Sequence, residues 1–324
     1  MIAHNTLHTT VKTGWTQQRA DSCIALISMA WGASYLLMKA GLDGLGPFNL
    51  IGLRFGIAFL VAVLIFHKRL RKATLPVIGR GAILGLTLFG MFSFLMVGLQ
   101  STTASTAGFL TSTTVVFVPI LQMIITRKKP QGRIIAGVIL TVVGIGLMTV
   151  QDSLALNRGA VFCLIGALLY AYHIILTDRF AQKTEGLLLG ILQLGFAGFY
   201  GWVASFLFEA PALPAGSVQW GAVLGLALVC SAFGFVMQPI AQTYTTPERT
   251  GLLFALEPVF SALLAFIFLQ EVLSVQGYIG AALVLVSVFI AAAKPKSGRV
   301  PKLKSAKVTL VKRGKSRRSL TAAK

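Results

Sequence analysis

The sequence predicts an all-α membrane protein with ten transmembrane helices, arranged as two inverted repeats of five helices each. The composition favours a chain that lies in a bilayer, because 56% of the 324 residues are hydrophobic and only 12% are charged. In a typical soluble domain about a quarter of the residues are charged. The apolar segments predict the number of helices, and a similarity between the two halves predicts the repeats.

Ten apolar windows have about the 20 residues that a helix needs to cross roughly 30 Å of hydrocarbon. They lie near 22–41, 47–66, 79–98, 104–125, 133–150, 158–177, 186–207, 217–239, 250–269 and 274–293. Backbone N–H and C=O groups find no partners in lipid, so each window is expected to be helical. The short connections leave no room for a soluble domain.

Residues 104–150 and 247–293 align without a gap at an offset of 143 residues. The matched pairs include Gly108/Gly251, Val116/Val259, Phe117/Phe260, Leu121/Leu264, Gly137/Gly280 and Val143/Val286. Between its two apolar segments the first copy carries Arg127, Lys128, Lys129 and Arg133, whereas the second carries only Glu271. Basic loops stay in the cytoplasm, so the copies are predicted to be inverted. Inverted repeats are typical of secondary transporters.

Lysine and arginine residues lie almost entirely on one side of the predicted bundle. With both termini inside, the inner side has Lys12, Arg19, Lys68, Arg69, Arg71, Lys72, Arg80, Arg127, Lys128, Lys129, Arg133, Arg179, Lys183 and Arg249. The outer side has Lys39 and Arg158. This bias predicts a multi-pass protein of the cell membrane, plasma or inner, with both termini in the cytoplasm.

The predicted organisation has five parts. They are a cytoplasmic N-terminal segment at 1–21, a first five-helix repeat at 22–150, a turn at 151–157, a second five-helix repeat at 158–293 and a basic cytoplasmic tail at 294–324. The tail has no acidic residue and is expected to be disordered. It serves either as a solvated topology anchor or as a contact for anionic lipid headgroups. Without interleaved aromatic residues it predicts no specific nucleic-acid partner.

Neither a metal nor a cofactor is predicted. Cys23, Cys163 and Cys230 lie in apolar windows without the spacing of a zinc site, and the four histidines are scattered. The phosphate-binding pattern GxxxxGK[ST] and the catalytic patterns HExxH and GxSxG are absent. The sequence therefore does not predict an enzyme, although a polytopic membrane enzyme such as a lipid or sugar transferase is the alternative class.

Glycines four residues apart are expected to allow close helix packing, with a hinge role as the alternative. These pairs are Gly52/Gly56 and Gly81/Gly85 in the second and third windows, echoed by Gly186/Gly190 and Gly221/Gly225 in the seventh and eighth.

Two charged residues lie well inside predicted helices, away from either end, where a charge is costly. Glu257, about seven residues into the ninth window, is a candidate for proton coupling or for binding a substrate amine. Its structural alternative is a salt bridge or a helix-end contact beside Pro258. Arg54, about seven residues into the second window, keeps its charge. It is a candidate for binding an anionic group, with packing against loop carbonyls as the alternative.

Uncharged polar and aromatic residues complete the candidates for a substrate cavity. Trp31, Ser34 and Tyr35 share one helical face by their spacing and form either an aromatic wall or an ordinary packing surface. The remaining candidates are Thr111, Thr114, Tyr172, His173 and Gln238. Hydroxyl groups in membrane helices often bond to their own backbone, and a lone histidine is often only hydrogen-bonded, so structural roles stay open.

Several short motifs together resemble the EamA family of the drug/metabolite transporter superfamily, over about 22–293. They are Trp31-Gly-Ala-Ser-Tyr35 with Lys39, Leu53-Arg-Phe-Gly-Ile-Ala58, Leu256-Glu-Pro-Val-Phe260, Leu269-Gln-Glu271 and Gly277-Tyr-Ile-Gly280. The first repeat departs from the family pattern. Lys128 stands where the family usually has an acid, matched here by Glu271, and Thr114 aligns with Glu257.

The resemblance implies a secondary transporter, more often an exporter, with a central cavity lined mainly by the first, third, fourth, sixth, eighth and ninth helices. It implies substrates such as amino acids, nucleosides and aromatic or drug-like solutes. The residues favour neutral, zwitterionic or aromatic solutes, because a polyanion would need several basic residues within the spans. Proton coupling and facilitated diffusion both fit, and the sequence predicts no particular oligomeric state.

Overall fold

The structure is a computed structural model that describes residues 15–102, 104–149, 158–269 and 274–292. Within these ranges every regular element is a helix. The helices are α1 (Gln17–Gly32), α2 (Ser34–Leu42), α3 (Pro47–Leu70), α4 (Leu75–Gln100), α5 (Ala104–Ser112), α6 (Thr114–Thr126), α7 (Gly132–Thr149), α8 (Arg158–Ala181), α9 (Gly186–Phe208), α10 (Ser217–Gly225), α11 (Gly234–Gln242), α12 (Pro247–Phe254), α13 (Glu257–Leu269) and α14 (Val275–Ala292). A π-helical segment, Leu226–Phe233, joins α10 to α11.

Three of the predicted features lie wholly or mostly outside the described residues. These are most of the N-terminal segment, the turn at 151–157 and the basic tail. Helix α1 begins at Gln17, within the segment that the sequence predicts to be cytoplasmic. Glu271 also lies outside the described ranges.

Six helical stretches are long and apolar enough to cross a membrane. They are Gln17–Leu42, Pro47–Leu70, Leu75–Gln100, Arg158–Ala181, Gly186–Phe208 and Ser217–Gln242, and shorter apolar helices cover Leu110–Thr126, Gly132–Leu147 and Val275–Ile290. The outer surface is also apolar, since Leu64, Phe206 and Phe289 are 77%, 70% and 72% exposed. Such a surface is unfavourable in water. The chain is therefore a multi-pass, all-helical membrane protein in its described part, as the composition predicts.

Three of the apolar stretches are broken near their middle. Helices α1 and α2 meet at Ala33, α5 and α6 meet at Thr113, and Ala255 and Leu256 separate α12 from α13. The hydroxyls of Ser34 and Thr113 donate to the carbonyl three residues earlier. Each of these carbonyl groups also accepts a backbone N–H at the break, from Ala33 or Thr113, so the polar groups there are paired inside the protein.

Glycine contacts bring α3 and α9 together. A Cβ atom on Gly201 would lie 2.7 Å from the backbone nitrogen of Gly52, and one on Gly198 would lie 2.8 Å from the nitrogen of Gly56. Real Cβ atoms do not approach a backbone this closely, so the two helices pack at a distance that larger residues would prevent. The predicted close packing of the second helix at Gly52 and Gly56 is what the structure shows.

The other predicted glycine pairs divide into two groups. Gly81 and Gly85 hold α4 against α9, and Gly186 and Gly190 hold α9 against α11. Gly221 instead is exposed, and a Cβ atom there would have nothing within 4 Å. The predicted packing role is therefore wrong for Gly221, because its face of α10 points away from the neighbouring helices.

Helices α7 and α14 form a second close pair. A Cβ atom on Gly144 would lie 2.6 Å from the carbonyl oxygen of Gly280. The hydroxyls of Thr141 and Ser287 are 2.7 Å apart and share a buried hydrogen bond. This pair joins the last described helix to the last helix before residue 150.

The carboxylate of Glu209 joins the end of α9 to the start of α3. Its two oxygens accept hydrogen bonds from the backbone nitrogens of Phe48, at 3.0 Å, and Asn49, at 2.8 Å. The first turn of a helix has unpaired N–H groups and the positive end of the helix dipole, so an acidic group is stabilising there. The Asn49 amide adds a 2.7 Å bond to the carbonyl of Ala212.

Replacing Glu209 by alanine is expected to lower the free energy of unfolding by about 1–2 kcal/mol, the usual cost of losing a helix cap. Thermal unfolding of the purified protein in detergent measures the change. Glu185→Ala is the matched control, because Glu185 pairs with Arg69 at 3.5 Å on the exposed surface, where an ion pair contributes little. Equal losses in the two variants would contradict the capping role of Glu209.

Candidate functional site

A cavity lies where the break between α1 and α2 faces the start of α13. A Cβ atom on Gly32 would lie 2.9 Å from the carbonyl of Glu257, so the two helices touch there. The cavity is small and is lined by Trp31, Ser34, Tyr35, Met38, Arg54, Met91, Phe92, Leu95, Thr111, Tyr170, Phe235 and Glu257. A smaller recess adjoins it and shares Thr111, Tyr170 and Glu257.

Glu257 and Tyr35 form the acidic part of the cavity. The Tyr35 hydroxyl donates a hydrogen bond to Glu257 Oε2 at 3.3 Å, and both residues are buried. Among the described residues, no basic side chain forms an ion pair with Glu257. Glu257 is the first residue of α13, so the helix dipole favours its negative charge. Helix-end placement was one alternative for this residue, and the structure combines that placement with a position in the cavity.

Arg54 forms the basic part of the cavity. Its side chain is fully buried, and Nε donates to the Ser231 hydroxyl at 3.0 Å. The guanidinium carbon lies 4.9 Å from the ring centre of Phe55 and 4.4 Å from that of Phe92, within cation–π distance. The described contacts of Arg54 thus involve a hydroxyl and two rings inside the bundle. They do not involve loop carbonyls, which was the packing alternative.

Aromatic side chains form one wall of the cavity. The Trp31 ring centre lies 4.7 Å from that of Phe235 and 4.8 Å from that of Phe254. Tyr170 stacks on Phe254 at 5.8 Å. Rings at these distances attract each other and resist displacement. The wall is therefore a fixed apolar surface beside the two charged groups.

Two polar groups of the π-helical segment Leu226–Phe233 contact side chains that line the cavity. The Cys230 carbonyl accepts a 2.7 Å hydrogen bond from the Trp31 indole, and the Ser231 hydroxyl accepts from Arg54. A π-helix has a looser turn than an α-helix and often occurs at functional sites. Here it offers polar partners to side chains from α1 and α3.

The structure brings most of the candidate residues together. Trp31, Ser34, Tyr35, Arg54, Thr111 and Glu257 line the cavity. Thr114 lines the adjoining recess, where its hydroxyl donates to the Ala167 carbonyl at 3.1 Å. The Thr111 hydroxyl donates to the Ala107 carbonyl of its own helix, which is the expected alternative for a membrane threonine.

Three candidates lie elsewhere. Tyr172 is 42% exposed on the outer face of α8, away from the cavity. His173 is fully buried, with Nδ1 2.9 Å from the hydroxyl of Thr87. Gln238 is fully buried in α11, and its amide has no hydrogen-bond partner among the described residues. None of the three lines either space, because each side chain leaves its helix in another direction.

Sequence reasoning did not identify the apolar part of the lining. Met38, Met91, Phe92, Leu95 and Phe235 belong to it, yet they look like any other apolar residue of a membrane helix. The family resemblance does not place the second helix among those that line the cavity, yet Arg54 of that helix does line it. The hydrogen bond from Tyr35 to Glu257 joins two residues that were predicted separately.

A set of apolar membrane helices around a buried cavity with one acid, one arginine and an aromatic wall defines a membrane transporter rather than a soluble binding protein. The chain belongs to the EamA-like transporter family, which matches residues 18–150 and 157–293. The resemblance drawn from the sequence motifs is therefore confirmed.

Relatives with similar sequences are also described as transporters, not as enzymes. An uncharacterized transporter of Archaeoglobus fulgidus is 28% identical over 278 residues, which cover 84% of this chain and 85% of that protein. The uncharacterized transporter YetK of Bacillus subtilis is 25% identical over 280 residues, 82% of this chain and 84% of that protein. A crystal structure with 19% identity matches 85% of this chain and 96% of its own, with a TM-score of 0.70, and so shares the fold.

Proposed function

We propose that this chain is a secondary transporter that exports small organic solutes across the cell membrane by alternating access around the cavity. The observation that carries the proposal is the buried pair of Tyr35 and Glu257, which faces a cavity at two helix breaks. An acidic residue inside a membrane bundle marks a path for a substrate or a proton. The candidate solutes are amino acids, nucleosides and aromatic or drug-like molecules.

Helix packing supports ten spans in two inverted repeats. Ten spans result when α1–α2, α5–α6, α10–α11 and α12–α13 are each taken as one broken or irregular helix. The contacts between helices then occur in matched pairs. The contact of α4 with α8 corresponds to that of α10–α11 with α1–α2. The contact of α4 with α9 corresponds to that of the π-helical segment with α3. The breaks at Thr113 and Leu256 also lie at the offset of 143 residues that aligns the two copies.

We assign both chain termini to the cytoplasm. A polar cluster closes the end of the bundle that we assign to the same side. Asp21 Oδ2 accepts from Arg249 Nη2, and Oδ1 accepts from the Thr245 hydroxyl at 3.0 Å. Trp15 stacks on Tyr244 at 5.9 Å. Asp21 precedes Trp31 by ten residues of α1, about 15 Å along the helix axis. Opening the cavity to the cytoplasm requires these contacts to separate.

Asp21→Asn is expected to favour opening at this end, because it removes the charge that holds the nearly buried Arg249. The experiment introduces Ser34→Cys into a variant without the three native cysteines. It measures the rate at which an impermeant thiol reagent, added on the cytoplasmic side, labels the new cysteine. We expect the rate to rise several-fold. Thr245→Val, which removes only the hydroxyl bond, should give a smaller rise. An unchanged rate for Asp21→Asn would argue against the closure.

Flux through the purified protein in liposomes tests the proposed function. Labelled amino acids and nucleosides are loaded, and their movement is followed without ATP, with and without an imposed pH gradient. Flux that follows the gradient identifies a proton-coupled transporter, and flux that ignores it identifies a facilitator. Absence of flux for every solute, with folded protein shown in the same vesicles, would contradict the proposal.

A further inference from the structure

We propose that Arg54 binds the carboxylate of the transported solute through its two terminal nitrogens. The inference rests on the proposed function, because it assumes that the solute is transported. It adds the chemical class of solute that the cavity accepts. That class is small monocarboxylates, including zwitterions.

The terminal nitrogens of Arg54 lack partners in the described structure. The side chain is fully buried and lines the cavity, yet Nη1 and Nη2 make no hydrogen bond. No described acidic side chain forms an ion pair with Arg54. A guanidinium stays charged in proteins, and a buried charge without hydrogen bonds is strongly unfavourable. An anion that enters the cavity would satisfy these donors.

The contacts of Arg54 also fix which edge of the guanidinium is free. Nε is bonded to the Ser231 hydroxyl at 3.0 Å, and the rings of Phe55 and Phe92 lie against the group. The remaining edge carries Nη1 and Nη2. Two parallel N–H groups match the two oxygens of a carboxylate, which gives a bidentate, charge-assisted contact.

The other charge in the cavity limits the anion to a single negative charge. Of the described residues that line the cavity and its recess, Arg54 is the only basic one, while Glu257 lines both spaces. A solute with two negative charges would be attracted by Arg54 and repelled by the carboxylate of Glu257. A solute with one carboxylate matches Arg54, and a zwitterion would also offer an ammonium group to Glu257.

The remainder of the solute is expected to be apolar. Met38, Met91, Leu95 and Phe235 share the lining with Arg54. These side chains offer no hydrogen-bonding groups apart from the weak thioether sulfur, so they favour burial of hydrocarbon. Benzoate and leucine are therefore suitable probes, because each combines one carboxylate with an apolar body.

Thermal unfolding of the full-length protein in detergent tests the assignment, since a ligand that binds the folded state raises the unfolding temperature. Benzoate is compared with benzamide, and leucine with leucinamide, at constant ionic strength. We expect each carboxylate to bind about tenfold or more tightly than its amide, the usual effect of charge-assisted hydrogen bonds. In Arg54→Met the difference should fall below about twofold, because the side chain keeps its length and loses its donors.

Arg80→Met is the matched control. Arg80 donates to the Thr184 hydroxyl and to the Lys183 carbonyl and is not part of the cavity lining, so its loss should leave the preference for carboxylates unchanged. If Arg54→Met does not fold, Ser231→Ala replaces it. That variant keeps the charge and releases Nε, and it should weaken benzoate binding several-fold.

Four results would overturn the inference: no stabilisation of the parent by either carboxylate, equal stabilisation by carboxylate and amide, equal stabilisation by sodium nitrate, or an intact preference in Arg54→Met. Liposome flux from the same preparation separates the two proposals. Carboxylate binding without flux of any solute would contradict the proposed function alone. Flux without a preference for carboxylates would contradict the role of Arg54 alone.

Discussion

Replacing Glu257 by glutamine is expected to abolish the response of solute flux to a pH gradient and to leave the protein folded. Glutamine has nearly the same size and can still accept the hydrogen bond from Tyr35, but it cannot bind or release a proton. If Glu257 carries the proton, flux in the variant should be the same with and without the gradient. In the parent protein we expect a gradient of one pH unit to drive up to about tenfold accumulation of the solute when one proton moves per solute, since one pH unit corresponds to 1.36 kcal/mol.

Tyr35→Phe is the matched control for this experiment. It removes the hydroxyl that contacts Glu257 and keeps the carboxyl group, so the response to the gradient should persist even if the rate falls. A Glu257→Gln variant that still follows the gradient would place proton coupling at another residue. A parent protein that ignores the gradient would identify a facilitator and give Glu257 a structural or substrate-binding role.

Replacing Gly201 by leucine is expected to destabilise the fold strongly. A Cβ atom there would lie 2.7 Å from the Gly52 nitrogen and 2.8 Å from a side-chain carbon of Ile51, so α3 and α9 must move apart. Overpacking of this kind costs about 3 kcal/mol or more, which lowers an unfolding temperature by roughly 10 °C. Size-exclusion chromatography and thermal unfolding in detergent measure the effect.

Gly146→Leu is the control for the packing prediction. A Cβ atom on Gly146 has nothing within 4 Å, so leucine there adds apolar surface without a collision. Its unfolding temperature should stay close to that of the parent. Two variants of equal stability would show that the approach of α3 to α9 is not limited by Gly201.

Composition and window length were sufficient to predict the helices, but they did not predict where the helices break. The window at 104–125 is divided at Thr113, and the window at 22–41 is divided at Ala33. Neither break has a proline beside it, so no proline marks either position in the sequence. The break before Glu257 is different, because Pro258 has no N–H to donate to the carbonyl of Phe254, four residues earlier.

The polar part of the site could be predicted because charged groups are rare and costly inside a membrane. Glu257 and Arg54 were found on this basis. The apolar lining could not be found in the same way. On α8, which is apolar on all sides, Tyr170 is 3% exposed and lines the cavity, whereas Tyr172 is 42% exposed. Residues two positions apart in an α-helix, such as Tyr170 and Tyr172, point in nearly opposite directions. Nothing in the sequence tells which of the two directions faces the cavity.

We propose above that the cavity opens alternately to both sides of the membrane. Its most direct test is the labelling of Ser34→Cys, in a variant without Cys23, Cys163 and Cys230, by an impermeant thiol reagent applied to each side of oriented vesicles. Ser34 lines the cavity, and the native cysteines are buried. We expect labelling from either side and slower labelling when a transported solute is present. Labelling from one side only, unaffected by any solute, would contradict it.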